Sequence, residues 1–265
     1  MKENQIDEYL NQFRGKGIDD QAIEIYKQQI IRSANSTQEM DNFDERVDMR
    51  ATHLTVLEQW AVACGASQAY INKQPLNIFK SGLEVENCGS LLSNWWGINS
   101  KEELLETLEW LDETGHRHNF EQVIDTYFTL SPSKKEEVIL EDGEISIFEK
   151  IKQARKQFVE DGLLEAEQPI PNTTIWDYAR MINLCRFGLD YGYLTEEEAS
   201  GIILYAAKKI KPFYNSWKEL GTAYVFSRCI WNGLTDYEEW KEGLNILLSD
   251  TKSPWVTLNW NISLS

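Results

Sequence analysis

The hydrophobic pattern is helical along most of the chain. In stretches such as KEELLETLEWLDET and FEKIKQARKQFVED, apolar residues recur three and four positions apart, as on one face of an α-helix. This spacing predicts helices over about 3–13, 19–34, 37–64, 66–73, 101–114, 118–130, 134–140, 145–161, 175–188, 196–210, 212–231 and 236–248. The segment 163–173, LLEAEQPIPNT, reads as a connector because of Pro169 and Pro171. At the end, Val256, Leu258, Trp260 and Ile262 alternate with polar residues, which suits a short strand or an extended tail laid over helices. One such segment does not make a sheet. The expected fold is mainly α, a multi-helical bundle with at most a short extended or β segment at the C-terminus.

Helix punctuation sharpens this reading. Thr195–Glu198, Ser100–Glu103, Ser133–Glu136 and Thr235–Glu238 each have the spacing of a capping box, and Thr174 before IWDYARM reads as a further N-cap with Asp177 in the favoured acidic position. Gly115 and Gly162 follow predicted helices as C-terminal stops, and Gly188 and Gly192 are expected to break the chain before the helix at Thr195. Pro212 predicts a kink or a new start. Residues 1–92 are more polar and acidic and form an expected N-terminal helical layer, packed on a second unit over 93–265.

One stretch departs from the amphipathic pattern. Residues 176–194, WDYARMINLCRFGLDYGYL, are apolar on nearly every side, as in a buried helix, yet include Asp177, Arg180, Asn183, Arg186 and Asp190. Asp177 with Arg180 and Arg186 with Asp190 have the spacing of helical ion pairs. The charges leave the helix in different directions, so they are not one solvated stripe. A buried Arg needs a carboxylate or several carbonyls, since an unpaired charge there costs several kcal/mol. The favoured reading is a structural network. The alternative is a cleft in which Arg180 or Arg186 holds an anionic ligand group.

Composition narrows the classes. The 265 residues include ten Trp, eleven Tyr and ten Phe, with 42% hydrophobic residues, enough for a sizeable core. The net charge is -17, from 43 acidic against 26 basic residues. That balance argues against nucleic acid and anionic lipid as partners and suits a basic protein. The N-terminus shows no secretory pattern, no run reaches membrane-spanning length, and the four scattered cysteines sit among apolar neighbours. A cytoplasmic location is expected.

Recognisable chemistry is scarce. No phosphate loop, dinucleotide fingerprint, nucleophile elbow or HExxH occurs. His53 reads as a helix-surface or core-edge residue. His116 and His118, beside Asp112 and Glu113, could contribute to a metal site, but three or four converging ligands are not marked, and no metal or cofactor is expected. The favoured reading packs His116 at a helix junction, bonded to a backbone carbonyl, with His118 exposed.

Several short motifs in order resemble the bacterial domain-of-unknown-function family DUF1266: NWWGINSKEELLETLEWLDETGHRHNF, WDYARMINLCRFGLDYGYLTEEEA, YNSWKELGTAYVFSRCIW and SPWVTLNW. The resemblance covers about 93–262. Trp96, Gly115, His116, Arg117, Trp176, Asp177, Arg180, Gly192, Tyr193, Leu194, Ala199, Trp217, Arg228, Trp231, Trp255 and Trp260 fit its pattern. Ser227 stands where the family often has Gly. The resemblance implies a mostly helical bacterial protein, assigns no catalytic roles, and places relatives near polymorphic-toxin genes.

Two functions are expected. The first is a non-enzymatic protein-binding protein, specifically an immunity-type protein that neutralises a bacterial toxin, with Asp41, Asp44 and Glu45 meeting a basic toxin domain. Its motives are the acidic balance, the aromatic content and the lack of catalytic motifs. The alternative is an enzyme or small-ligand protein with a polar pocket around His116, Arg180 and Arg228, drawing also on Arg117, Asp177 and Arg186.

Overall fold

A computed structural model describes Val47, residues 53–129, Ser131, Lys134 and residues 142–263. The described part is helical, with no strand among the described residues. Its elements are α1 (Val56–Ala63), α2 (Ala66–Ile71), α3 (Val85–Ser90) running on as a π turn (Leu91–Trp95), and α4 (Lys101–Glu113). Then come α5 (Arg117–Val123) with a π turn (Ile124–Phe128), α6 (Asp142–Glu160), α7 (Thr174–Tyr191) and α8 (Glu196–Ile210). The last are α9 (Trp217–Asn232), α10 (Tyr237–Ser249) and α11 (Pro254–Thr257).

Helix α7 is the axis of the core. It packs against α3, α4, α5, α8 and α9, which is why its sequence is apolar on nearly all sides. Trp176, Ile182 and Phe187 are among its buried side chains, and each such burial stabilises the fold by roughly 1.5–3 kcal/mol. Gly188 does not break the helix. A Cβ there would stand 2.5 Å from Leu104 Cδ2, so the glycine permits close packing of α4 while the helix continues to Gly192, whose φ of 89° ends it.

Start signals divide cleanly. Thr195 and Glu198 form a complete capping box. Ser100 accepts from Glu103 N–H, but the Glu103 carboxylate reaches Asn99 N–H instead of its own cap. The predicted box at Thr235 does not form: α10 starts after Asp236, whose carboxylate is drawn to Arg228. Thr174 is not an N-cap either. It is the first helical residue, and Asn172 Oδ1 accepts its N–H at 2.9 Å. The cap residues Ser133 and Glu136, and the helices expected before residue 47, lie outside the described residues. Two starts missed in the sequence are Thr55, in a full box with Glu58, and Ser216, which caps α9 after the 3-10 turn at Lys211–Phe213.

The C-terminal alternation is an extended tail and not a strand. Leu258, Trp260 and Ile262 face the helices while Asn259 and Asn261 face solvent. Val256 departs from the pattern: it sits in α11 and is exposed. Trp217 Nε1–H donates to Leu258 O, and Trp255 Nε1–H donates to Ala63 O, both at 2.8 Å. The Trp60, Trp217 and Trp260 rings meet with centroids 4.8–5.0 Å apart, joining α1, α9 and the tail. The four cysteines are unbridged and buried.

Candidate functional site

Asp177 organises the region around the GHR and WD motifs. By sequence it belongs to the start of α7. Its fully buried carboxylate instead caps a different helix. Oδ1 accepts from His116 N–H at 3.0 Å and Oδ2 from Arg117 N–H at 2.8 Å, satisfying two donors at the start of α5. Arg117 Nη1–H also donates to Oδ2, at 3.2 Å, while its guanidinium donates to Leu111 O and Asp112 O at the end of α4. The turn from α4 to α5 is thereby clamped to α7. Gly115 sits in that turn at φ 61°, and a Cβ on it would stand 2.2 Å from Asp177 Oδ2.

His116 completes the clamp from its outer side. Its Nδ1 lies 3.3 Å from Asp177 Oδ1. A carboxylate only accepts, so Nδ1–H donates. The expected bond to a backbone carbonyl is replaced by this one. The ring meets the indoles of Trp96, Trp110 and Trp231 edge-on, with centroids 6.1, 4.9 and 4.8 Å away. His118 is exposed, and His53 is exposed 3.9 Å from Glu196.

The arginines separate into three environments. Arg186 is fully buried without an ion pair to Asp190. It donates to Phe79 O, Pro75 O and Lys80 O and to Gln74 Oε1, and so fixes the loop after α2. Burial pulls its pKa down to about 10, opposed by the Asp190 charge. Asp190 instead accepts from Ser81 N–H at 2.7 Å and Ser81 Oγ–H at 2.5 Å. Arg228 is ion-paired to Asp236. Arg180 is half-buried, does not pair with Asp177, and among the described residues donates one hydrogen bond, to Trp176 O at 3.1 Å. Its guanidinium carbon lies 3.1 Å from the Trp176 ring centroid and 5.6 Å from that of Trp231, and burial lowers its pKa to about 10.

The expected pocket around His116, Arg180 and Arg228 is therefore not one constellation of polar heads. His116 and Arg180 both meet the Trp231 ring; Arg228 turns to Asp236, and Arg186 lies elsewhere. Asp41, Asp44 and Glu45 lie outside the described residues. Among the described residues no group of three His, Cys, Asp or Glu converges as a metal site, and no helix is long and apolar enough to cross a membrane.

On the open side of His116 lies a groove of about 420 Å³ lined by Trp95, Trp96, Gly97, Glu103, Glu106, Thr107, Trp110 and His116. Trp110 and Glu106 were not among the residues marked by sequence, and Glu103 was marked only as a capping residue. The signal was present: Leu104, Leu108 and Leu111 make the buried stripe of α4, and Trp110 falls off it, 41% exposed. Trp231 is 47% exposed on the other side of His116.

Residues 91–260 match the family described as "Protein of unknown function (DUF1266)", well over half of the chain, and the chain belongs to that family. Ser227, at the position where glycine was expected, is buried, and its hydroxyl donates to Ala223 O at 2.8 Å. Two relatives from Escherichia coli (strain K12) are similar to it. Uncharacterized protein YbeU is 27% identical over 140 residues, covering 53% of this chain and 56% of its own. Uncharacterized protein YbeR is 28% identical over 152 residues, covering 55% and 58%. The chain thus spans little more than half the length of these relatives. No solved structure matches it significantly.

Proposed function

We propose that this DUF1266 protein is a non-enzymatic protein-binding protein that docks a basic protein on the face shared by α4, the π turn Leu91–Trp95 and His116. The observation that carries this reading is an exposed acidic ridge beside exposed indoles. Glu102, Glu106, Glu109 and Glu113 recur three or four residues apart on α4, all exposed. The ion pairs that α4 makes, Lys101–Glu198 and Lys209–Asp112, leave these four carboxylates without a Lys or Arg partner among the described residues. Trp110 and Trp231 offer the large rigid surface favoured at interface centres, and the ridge supplies steering for a basic partner. The Asp177 carboxylate accepts from the backbone N–H groups of His116 and Arg117, a helix-capping role compatible with a binding protein.

Within this class we favour an immunity-type protein that masks a basic toxin domain. Co-expression with the product of the neighbouring gene tests it. Rescue of growth that fails with Glu106→Lys/Glu109→Lys supports the reading; absence of both rescue and complex overturns it. A second reading, an enzyme or small-ligand protein, draws on Arg180, whose guanidinium has one hydrogen bond and no carboxylate partner among the described residues. A thermal-shift response to phosphate or small carboxylates that disappears in Arg180→Met would favour it.

A further inference from the structure

Elsewhere in this chain a cation, an aromatic ring and a carboxylate come together as a set. Lys241 lies over the Tyr237 ring at 5.1 Å and 3.2 Å from Asp161. Arg228 lies over the Trp240 ring at 5.6 Å while paired to Asp236. The groove beside His116 has two members of such a set and lacks the third. Its walls carry the indoles of Trp96 and Trp110, beside Trp95, and the carboxylates of Glu103 and Glu106, and no Lys or Arg among the described residues lines it. His116 lines the inner side of the groove, with its Nδ1–H donating to Asp177. One Glu103 oxygen accepts from Asn99 N–H at 2.6 Å, whereas Glu106 has no partner among the described residues.

We propose that the groove receives the guanidinium of one arginine of the partner, so that the partner supplies the cation that the chain supplies for itself elsewhere. The proposal rests on the protein-binding reading and names the anchor of that interaction. Arginine suits the groove better than lysine. Its planar group stacks on indole while its fork of N–H donors meets both oxygens of one carboxylate, and Glu106 offers both. A volume of about 420 Å³ accommodates the head and the end of its stem.

The test uses the full chain with N-acetyl-arginine amide, and N-acetyl-citrulline amide as its neutral isostere. Indole N–H resonances are followed by NMR, with Trp110 assigned through Trp110→Phe. The arginine probe is expected to shift the Trp110 and Trp96 resonances, and the citrulline probe to leave them in place. Glu106→Gln, exposed and so expected to fold normally, should weaken the arginine probe about two- to five-fold, the effect of one exposed cation–π or ion-pair contact. Equal shifts from both probes, no shift, or shifts confined to other indoles would overturn the proposal. Binding of a basic protein is measured separately. If that protein binds and is weakened by Glu109→Lys while the arginine probe leaves the groove untouched, the anchor is wrong and the protein-binding reading stands. If the probe seats in the groove and no basic protein binds, the guanidinium site stands and the broader reading fails.

Discussion

Replacing Asp177 by Asn separates a structural clamp from a reactive carboxylate. The native side chain accepts from two backbone N–H groups, from His116 Nδ1–H and from Arg117 Nη1–H, at 2.8–3.3 Å, and is fully buried. Asparagine keeps the shape, but its amide nitrogen presents hydrogens to groups that are themselves donors. At least one backbone donor at the start of α5 is then orphaned, which costs about 1–3 kcal/mol. The Arg117 guanidinium also loses its counter-charge, and breaking a buried pair costs about 3–5 kcal/mol. The Leu111 and Asp112 carbonyls remain bonded to Arg117 and limit the second loss, so the two figures overlap and a total of about 3–5 kcal/mol is expected. For a chain of this size that lowers the unfolding midpoint by roughly 6–20 °C. Thermal and urea unfolding followed by circular dichroism would measure it. Arg117→Met closes a double-mutant cycle in which the losses combine to less than their sum. An Asp177→Asn protein within about 0.5 kcal/mol of the wild type would refute the clamp and point to a carboxylate held for function instead.

Three further outcomes follow from the same geometry. Gly115→Ala adds left-handed strain and a Cβ against Asp177 Oδ2, and should destabilise by about 2–4 kcal/mol in the same unfolding assay. All four thiols are buried, and burial pushes Cys64 and Cys185 up and Cys229 up to about 12, so Ellman's reagent should titrate none in the native protein and four after unfolding. The Lys101 ammonium and the Thr195 backbone N–H hold Glu198 down, from 4.5 to about 2. A depressed carboxylate stabilises fully above its unfolded pKa and ceases to as pH falls through its folded one, so amide protection at the start of α8 should decline between pH 4.5 and about 2.

Local signals were legible where their partners are local. The α8 start could be read from Thr195 and Glu198, and the α4 start from Ser100, because a cap spans three residues. The buried character of α7 was equally plain from its apolar circumference. What its charges do was not, because their partners are distant in sequence. Asp177 caps α5, sixty residues upstream in the chain, and Arg186 is met by carbonyls of residues 75, 79 and 80, which leave no mark in side-chain chemistry. Gly188 shows the same limit: as punctuation it reads as a break, and only the approach of Leu104 reveals it as a packing residue. Helix α3 was missed because VENCGSLLSNW mixes Gly, Ser and Asn into a short segment that changes from α to π geometry. The groove was missed because its walls come from the π turn, α4 and His116, and no one of these segments is unusual alone.

The central claim is that the acidic, indole-lined face of α4 binds a basic protein. Its most direct test is calorimetric titration of the full chain with the product of the neighbouring gene, giving a Kd for the wild type, Trp110→Ala and Glu106→Gln/Glu109→Gln. The account predicts a Kd that rises with salt and a tenfold or greater loss for Trp110→Ala, the size of a hot-spot truncation of about 1.4 kcal/mol or more. It also predicts a smaller, salt-sensitive loss for the glutamate pair. Unchanged affinity in both variants, with folding intact, would contradict it.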